Sequence, residues 1–176
     1  MAKEVFWCSS CLNMSTRPRI TFDQEGRCNA CQWSDEKKTF NWKEREEELK
    51  KNLKKYTNAS DNYKVIVPVS GGKDGSYIAH KLKSDYGVEP LCVTVRPPLE
   101  TKIGQENVYN FVSSGFSHVH VSPDEEAMAA LNKYGFIEKG FPYYGWLICI
   151  HTAVLQIAKR FNICLLYTSP SPRDLS

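Results

Sequence analysis

No apolar run in this 176-residue chain approaches the roughly 20 residues that a membrane-spanning helix needs, and its opening, Met1-Ala2-Lys3-Glu4, carries no apolar signal core. A membrane protein and a secreted one are therefore not expected; the expectation is a cytoplasmic protein with reduced cysteines. Charge of one sign is also scarce. Lys and Arg number 23 and Asp and Glu 20, a net +3 that gives no basis for a nucleic-acid partner. Much of the charge is gathered in residues 35–55, eight basic and six acidic, around apolar residues at helical spacing from Trp42 through Leu49 to Leu53. Mixed signs on such a stretch read as a solvated helix rather than a binding face. At 41% hydrophobic and 24% charged, the chain can bury one core of ordinary size beside a small appendage.

What is present centres on Ser70-Gly71-Gly72-Lys73-Asp74-Gly75-Ser76. It follows the apolar run Val65-Ile66-Val67-Pro68-Val69 and leads into Tyr77-Ile78-Ala79-His80-Lys81-Leu82, which reads as strand, glycine turn and helix start. Adjacent glycines let the backbone turn sharply and approach a ligand with no Cβ between them. The first helical amides have no partner in the helix, and the helix dipole favours an anion there. Such a site suits phosphate. The Gly-x4-Gly-Lys-Ser/Thr spacing of the Walker A loop is absent. The segment instead resembles the SGGxDS signature of the PP-loop ATP pyrophosphatases, which grip the pyrophosphate of ATP and transfer AMP to a substrate oxygen.

At the N-terminus, Cys8-x2-Cys11 is followed after sixteen residues by Cys28-x2-Cys31. Two knuckles at this spacing read as a closed four-thiolate site, structural rather than catalytic, with zinc the expected metal and an iron–sulfur cluster the rival. Residues 164–176, Cys164-Leu-Leu-Tyr-Thr-Ser-Pro-Ser-Pro-Arg-Asp-Leu-Ser176, break the pattern and look like translated adapter read-through. They are set aside from fold reasoning as a non-native tail, and the remainder reads as the N-terminal part of a longer enzyme. The expected organisation is a zinc knuckle over 1–35, a linker helix over 36–60 and an ATP-binding domain over 61–163.

Within that domain the pattern predicts strands at 63–69, 90–95 and 118–121 and helices at 76–86, 104–114, 123–134 and 146–161. Strands separated by such crossovers pair in parallel with right-handed connections, which gives an α/β fold with a doubly wound parallel sheet. Ligands gather beyond the carboxyl ends of its strands, where Ser70–Asp74 and the segment after Val95 both fall.

The resemblance narrows on Gly75-Ser76-Tyr77, where most PP-loop enzymes place serine directly after the aspartate. The GSY variant is similar to that of the N-acetyl sugar amidotransferases, which make acetamidino sugars for bacterial surface polysaccharides and flagellar glycans. Thr16-Arg17-Pro18, Ile20-Thr21-Phe22-Asp23, Gly26-x-Cys28 and Asn41-Trp42-x2-Arg45-Glu46 fit the same family. The likeness covers nearly all of residues 8–163 and lacks the family's later half, so the sheet is expected to be an incomplete one of the PP-loop (adenine nucleotide alpha hydrolase-like) type.

The resemblance implies a reaction with ATP, Mg2+ and an N-acetylated sugar or sugar nucleotide, and ammonia from a separate glutaminase subunit. It implies that the amides of Gly71, Gly72 and Lys73, with the hydroxyls of Ser70 and Ser76, cradle pyrophosphate, and that Gly75 belongs to the same loop. Lys73 would add charge there or face solvent. Asp74 suits a magnesium ligand or loop organiser. Thr94-Val95-Arg96 would lie beside adenosine, with Arg96 on a phosphate or on the surface. A PP-loop tRNA-modifying enzyme and a non-catalytic zinc-ribbon binding module are the competing readings.

The other candidates read first as structural. His118 and His120 share a strand face with polar residues outward, His80 and His151 lie on helices, and Cys92 and Cys149 sit among apolar residues as buried thiols. The aromatic loop Gly140-Phe-Pro-Tyr-Tyr-Gly-Trp146 could stack on a sugar or nucleotide or pack the helix that follows.

Overall fold

The computed structural model of the chain describes residues 4–56 and 63–168. The last positions of the expected linker and residues 169–176 of the segment set aside lie outside them. The chain divides into two compact units, Met1–Glu48 and Leu49–Ser176.

In the first unit, antiparallel bridges join Trp7 to Met14 and Phe22 to Cys28, and the helix α1 (Asn29–Thr39) follows directly. Trp33, Phe40 and Trp42 meet edge to face, with ring centroids 5.7 and 5.6 Å apart. Among the described residues up to 48, Cys8 and Cys28 alone are buried. Such a unit has almost no apolar core. The helix α2 (Trp42–Tyr56) begins in this unit and ends in the second.

The second unit is an α/β sandwich. Its elements alternate as β1 (Val65–Pro68), α3 (Lys73–Tyr86), β2 (Pro90–Val95), α4 (Lys102–Ser113), β3 (His118–Val121), α5 (Glu125–Lys139), α6 (Tyr144–Arg160) and β4 (Leu165–Leu166). The sheet order is β3-β2-β1-β4 and every pairing is parallel. Strand order reverses at β1, so helices fall on both faces. Val65, Val67, Val69 and Cys92 pack against Ala79 and Leu82 of α3 and Phe111 of α4. The alternate residues Ile66, Leu91 and Val93 pack against Val154 and Ala158 of α6. Burial of β1 and β2 on both faces is what their unbroken apolar runs require. The fold is thus the parallel α/β class expected, with a four-cysteine cluster ahead of it.

Several boundaries differ from the sequence expectation, among them the following. The helix α3 starts at Lys73, so Lys73, Asp74 and Gly75 form its first turn. The helix α5 runs past Tyr134 to Lys139 and stops at Gly140, which takes φ 64° and donates its N–H to the carbonyls of Gly135 and Phe136. The last strand lies within the segment set aside: Leu165 and Leu166 pair with Val65 and Ile66, and the Tyr167 amide donates to the Ile66 carbonyl at 3.0 Å. An apolar extended dipeptide fits an open strand edge, whatever its origin. Among the described residues, no helix is long and apolar enough to cross a membrane.

Candidate functional site

The four cysteines come together. Their sulfurs lie within 4.8 Å of one another, with Cys8 3.9 Å from Cys31 and Cys11 3.6 Å from Cys28. A tetrahedron with zinc–sulfur bonds of about 2.3 Å has edges of about 3.8 Å. A cluster with several irons and bridging sulfides needs its ligand sulfurs further apart, so the geometry fits one ion. Local sequence builds each knuckle. Asp23 accepts from the amides of Glu25 and Arg27 at 3.0 and 2.8 Å, closing a turn in which Gly26 takes φ 76°. Cys28 is then the N-cap of α1 and Cys31 lies in its first turn.

Donors surround the sulfurs. The amides of Cys28 and Ser10 point at Cys8 Sγ at 3.1 and 3.4 Å, and the Asn13 side-chain amide at Cys28 Sγ at 3.4 Å. The Asn13 bond, against the opposing effect of burial, holds the Cys28 thiol low, at about 6. The bond to Cys11, with burial, pushes Cys31 up to about 12. Four thiols in contact cannot all ionise alone. A divalent cation removes the conflict by taking all four as thiolates, so the donor set fits a bound metal.

In the second unit, the loop leaves the carboxyl end of β1. Gly71 takes φ 75°, and a Cβ there would lie 2.9 Å from Asn107 Cβ and 3.0 Å from the Val108 nitrogen of α4. Gly75 is also a packing requirement, since its Cβ would lie 2.7 Å from the Pro68 carbonyl oxygen. Gly72 differs from both. Its backbone is extended, and a Cβ there would meet only Ser70 Oγ, at 3.3 Å. That side of the loop is open. Gly72 is the N-cap of α3 and offers no side-chain cap, whereas Thr101 and Asp124 cap α4 and α5. Among the described residues no side chain caps the first turn of α3, a place where an anion is favoured. Ser70, Lys73 and Asp74 are exposed beside it and Ser76 is half-buried.

Thr94, buried near the end of β2, ties the sheet to the loop. Its hydroxyl donates to the Val69 carbonyl at 2.8 Å and contacts His118 Nε2 at 2.8 Å. Beside it opens a cavity of about 480 Å³ between α4 and the sheet, reaching from Ser70 to Val108 and Val112, with His118, His120 and Trp146 on its wall. His118 and His120 share a face, as the alternation requires, but that face looks toward α4 and not simply outward. The Trp146 indole donates to the Val95 carbonyl at 3.4 Å, so the aromatic loop contributes one ring to the site. His80 and His151 are exposed. Burial pushes the Cys92 thiol to about 12 and raises that of Cys149. Arg96 pairs with Glu125 of α5.

Sequence patterning alone did not place His118 in the site. Its partner Thr94 sits 24 residues earlier, on a neighbouring strand, and no local signal joins the two.

No family model matches the chain and no curated protein matches it. Among solved structures, a predicted subunit of tRNA methyltransferase from Methanocaldococcus jannaschii is similar over part of the chain. It is 26% identical, with 59% of this chain and 51% of that one covered and a TM-score of 0.41. The chain spans about half the length of that protein, and at this score the likeness transfers no function.

Proposed function

We propose that this chain is the N-terminal part of an ATP-dependent enzyme that activates a substrate oxygen by AMP transfer, that the oxygen is the acetamido carbonyl of an N-acetylated sugar, and that turnover requires the longer enzyme. The observation that carries the nucleotide reading is the uncapped first turn of α3 opening at the carboxyl ends of β1 and β2, beside a cavity of nucleoside size. Phosphates rest on the amides of α3 with Ser70 and Ser76, Lys73 adds charge, and Asp74 holds the Mg2+ that accompanies ATP. Adenosine lies along Thr94-Val95-Arg96. The sugar assignment rests on the resemblance carried by the GSY ending of the loop and the paired knuckles.

The chemistry then runs without a protein nucleophile. The carbonyl oxygen attacks the α-phosphorus and pyrophosphate leaves. Ammonia adds to the imidate carbon, AMP departs with the oxygen, and an amidine remains. The protein's part is positioning and charge stabilisation. The cysteine cluster holds zinc as a structural ion. Cys92 and Cys149 are unsuited to cleave glutamine, because burial raises both thiols. The proposed source of ammonia is a separate glutaminase subunit, as the resemblance implies.

ATP–pyrophosphate exchange tests the reading. Exchange stimulated by a UDP-linked N-acetyl sugar, with amidine formation from ammonium but not from glutamine alone, is the expected result. Exchange stimulated by tRNA would replace the sugar reading with the tRNA-modifying one, and a chain that binds no ATP would leave the binding-module reading in its place.

A further inference from the structure

The hydrogen-bond arithmetic at Thr94 determines the state of His118. A threonine hydroxyl has one proton, and a carbonyl can only accept. Thr94 Oγ1 therefore spends its proton on the Val69 carbonyl at 2.8 Å. At the second 2.8 Å contact the proton must come from His118 Nε2. A neutral imidazole with a proton on Nε2 has a lone pair on Nδ1. Burial and the neighbouring His120, its ring 6.1 Å away, both favour the neutral form.

That Nδ1 has no hydrogen-bond partner among the described residues. Yet none of their fully buried side-chain nitrogens or oxygens lacks one. Nδ1 is therefore not fully buried, and His118 lines the 480 Å³ cavity. The cavity begins at Ser70, where the phosphate-binding turn starts. Its walls include Val95, Val108 and Trp146, and no lysine or arginine lines it. Such a place rejects phosphate and accepts a flat, neutral ring. Glu100, Thr101 and Gln105 on the same wall offer further partners to the polar edge of such a ring.

We infer that the cavity seats the base of the nucleotide and that His118, through its fixed acceptor Nδ1, selects a purine with an amino group at C6 over one with an oxo group. The inference rests on the nucleotide-binding reading above and adds to it a specificity-determining side chain. A 6-amino group donates to Nδ1; a 6-oxo group sets two acceptors against each other. Thr94 does the positioning, since without its contact the ring is free to present either nitrogen.

The test is equilibrium binding of ATP and ITP to the full chain and to His118→Phe, which keeps a ring and removes the acceptor. Wild type should bind ATP about tenfold more tightly than ITP, the effect of one neutral hydrogen bond. In His118→Phe the preference should fall to within about twofold through weaker ATP binding, with ITP affinity retained. A purely structural role for His118 would weaken both nucleotides alike, which would overturn the inference. In case the variant fails to fold, 15N-imidazole NMR of the wild type provides a second readout: the His118 Nδ1 resonance should move on addition of ATP and not of ITP. Equal affinity of wild type for the two nucleotides, or an Nδ1 resonance indifferent to ATP, overturns the inference and leaves nucleotide binding standing. Failure to bind either nucleotide removes both.

Discussion

At the scale of single residues, the three glycines of the loop do different things despite their adjacency. Gly71 and Gly75 are held by protein contacts, to α4 and to the Pro68 carbonyl, while Gly72 borders open space. Gly71→Ala should therefore destabilise the fold, by about 1–3 kcal/mol from overpacking together with the penalty of a left-handed backbone. Gly72→Val should melt within about a degree or two of wild type and yet lose ATP binding, since its side chain enters the space a phosphate needs. Thermal unfolding and nucleotide titration of the two variants check this. A Gly72→Val chain that binds ATP as well as wild type would mean that the loop is only a turn.

At the scale of elements, the pair α5 and α6 shows how a glycine inside a helix can mislead. The sequence pattern ends the helix at Tyr134, immediately before Gly135. The helix passes through it, because Gly135 is where α6 comes closest. A Cβ there would lie 2.1 Å from Tyr144 Cβ and 2.7 Å from the Phe141 carbonyl oxygen. Gly145 makes the reciprocal approach to Leu131, at 2.7 Å. Gly135→Ala should lower stability by about 1–3 kcal/mol, although alanine is the better helix former by about 1 kcal/mol. Chemical denaturation measures the difference. An increase in stability would show that the helix pair is not packed this closely.

At the scale of the whole molecule, the two units differ in what holds them. The parallel sheet buries Ile66, Val67 and Val93 completely and is stabilised by that burial. Among its described residues the first unit buries only Cys8 and Cys28, so we expect its order to depend on a metal held by the four cysteines. Metal binding by such a site contributes on the order of 10 kcal/mol or more. The isolated protein should contain about one zinc per chain. A strong chelator should collapse the NMR dispersion of residues 4–48 and spare the signals of the sheet. Retention of that dispersion after complete metal removal, or an iron–sulfur absorption band in place of zinc, would refute a structural zinc.

Much of this was legible locally. The strands at 90–95 and 118–121 were legible to the residue, the first as a short apolar run between turn residues and the second as a strict alternation. The cysteine cluster was legible from spacing, since a knuckle is a tight turn that brings its two sulfurs to one side. The loop was legible as a sharp turn from glycines placed between strand and helix. Contacts over long sequence distance were not legible. That Gly71 answers to Asn107, that Gly135 answers to Tyr144, and that Thr94 fixes the tautomer of His118 all depend on which elements become neighbours. Sequence by itself determined the elements, the knuckles and the turn, because hydrophobic period, cysteine spacing and glycine placement act over a few residues. Tertiary structure alone decided which glycine is left open and that Thr94 meets His118 beside the cavity, because steric exclusion and the sharing of one proton exist only between groups that the fold has brought together.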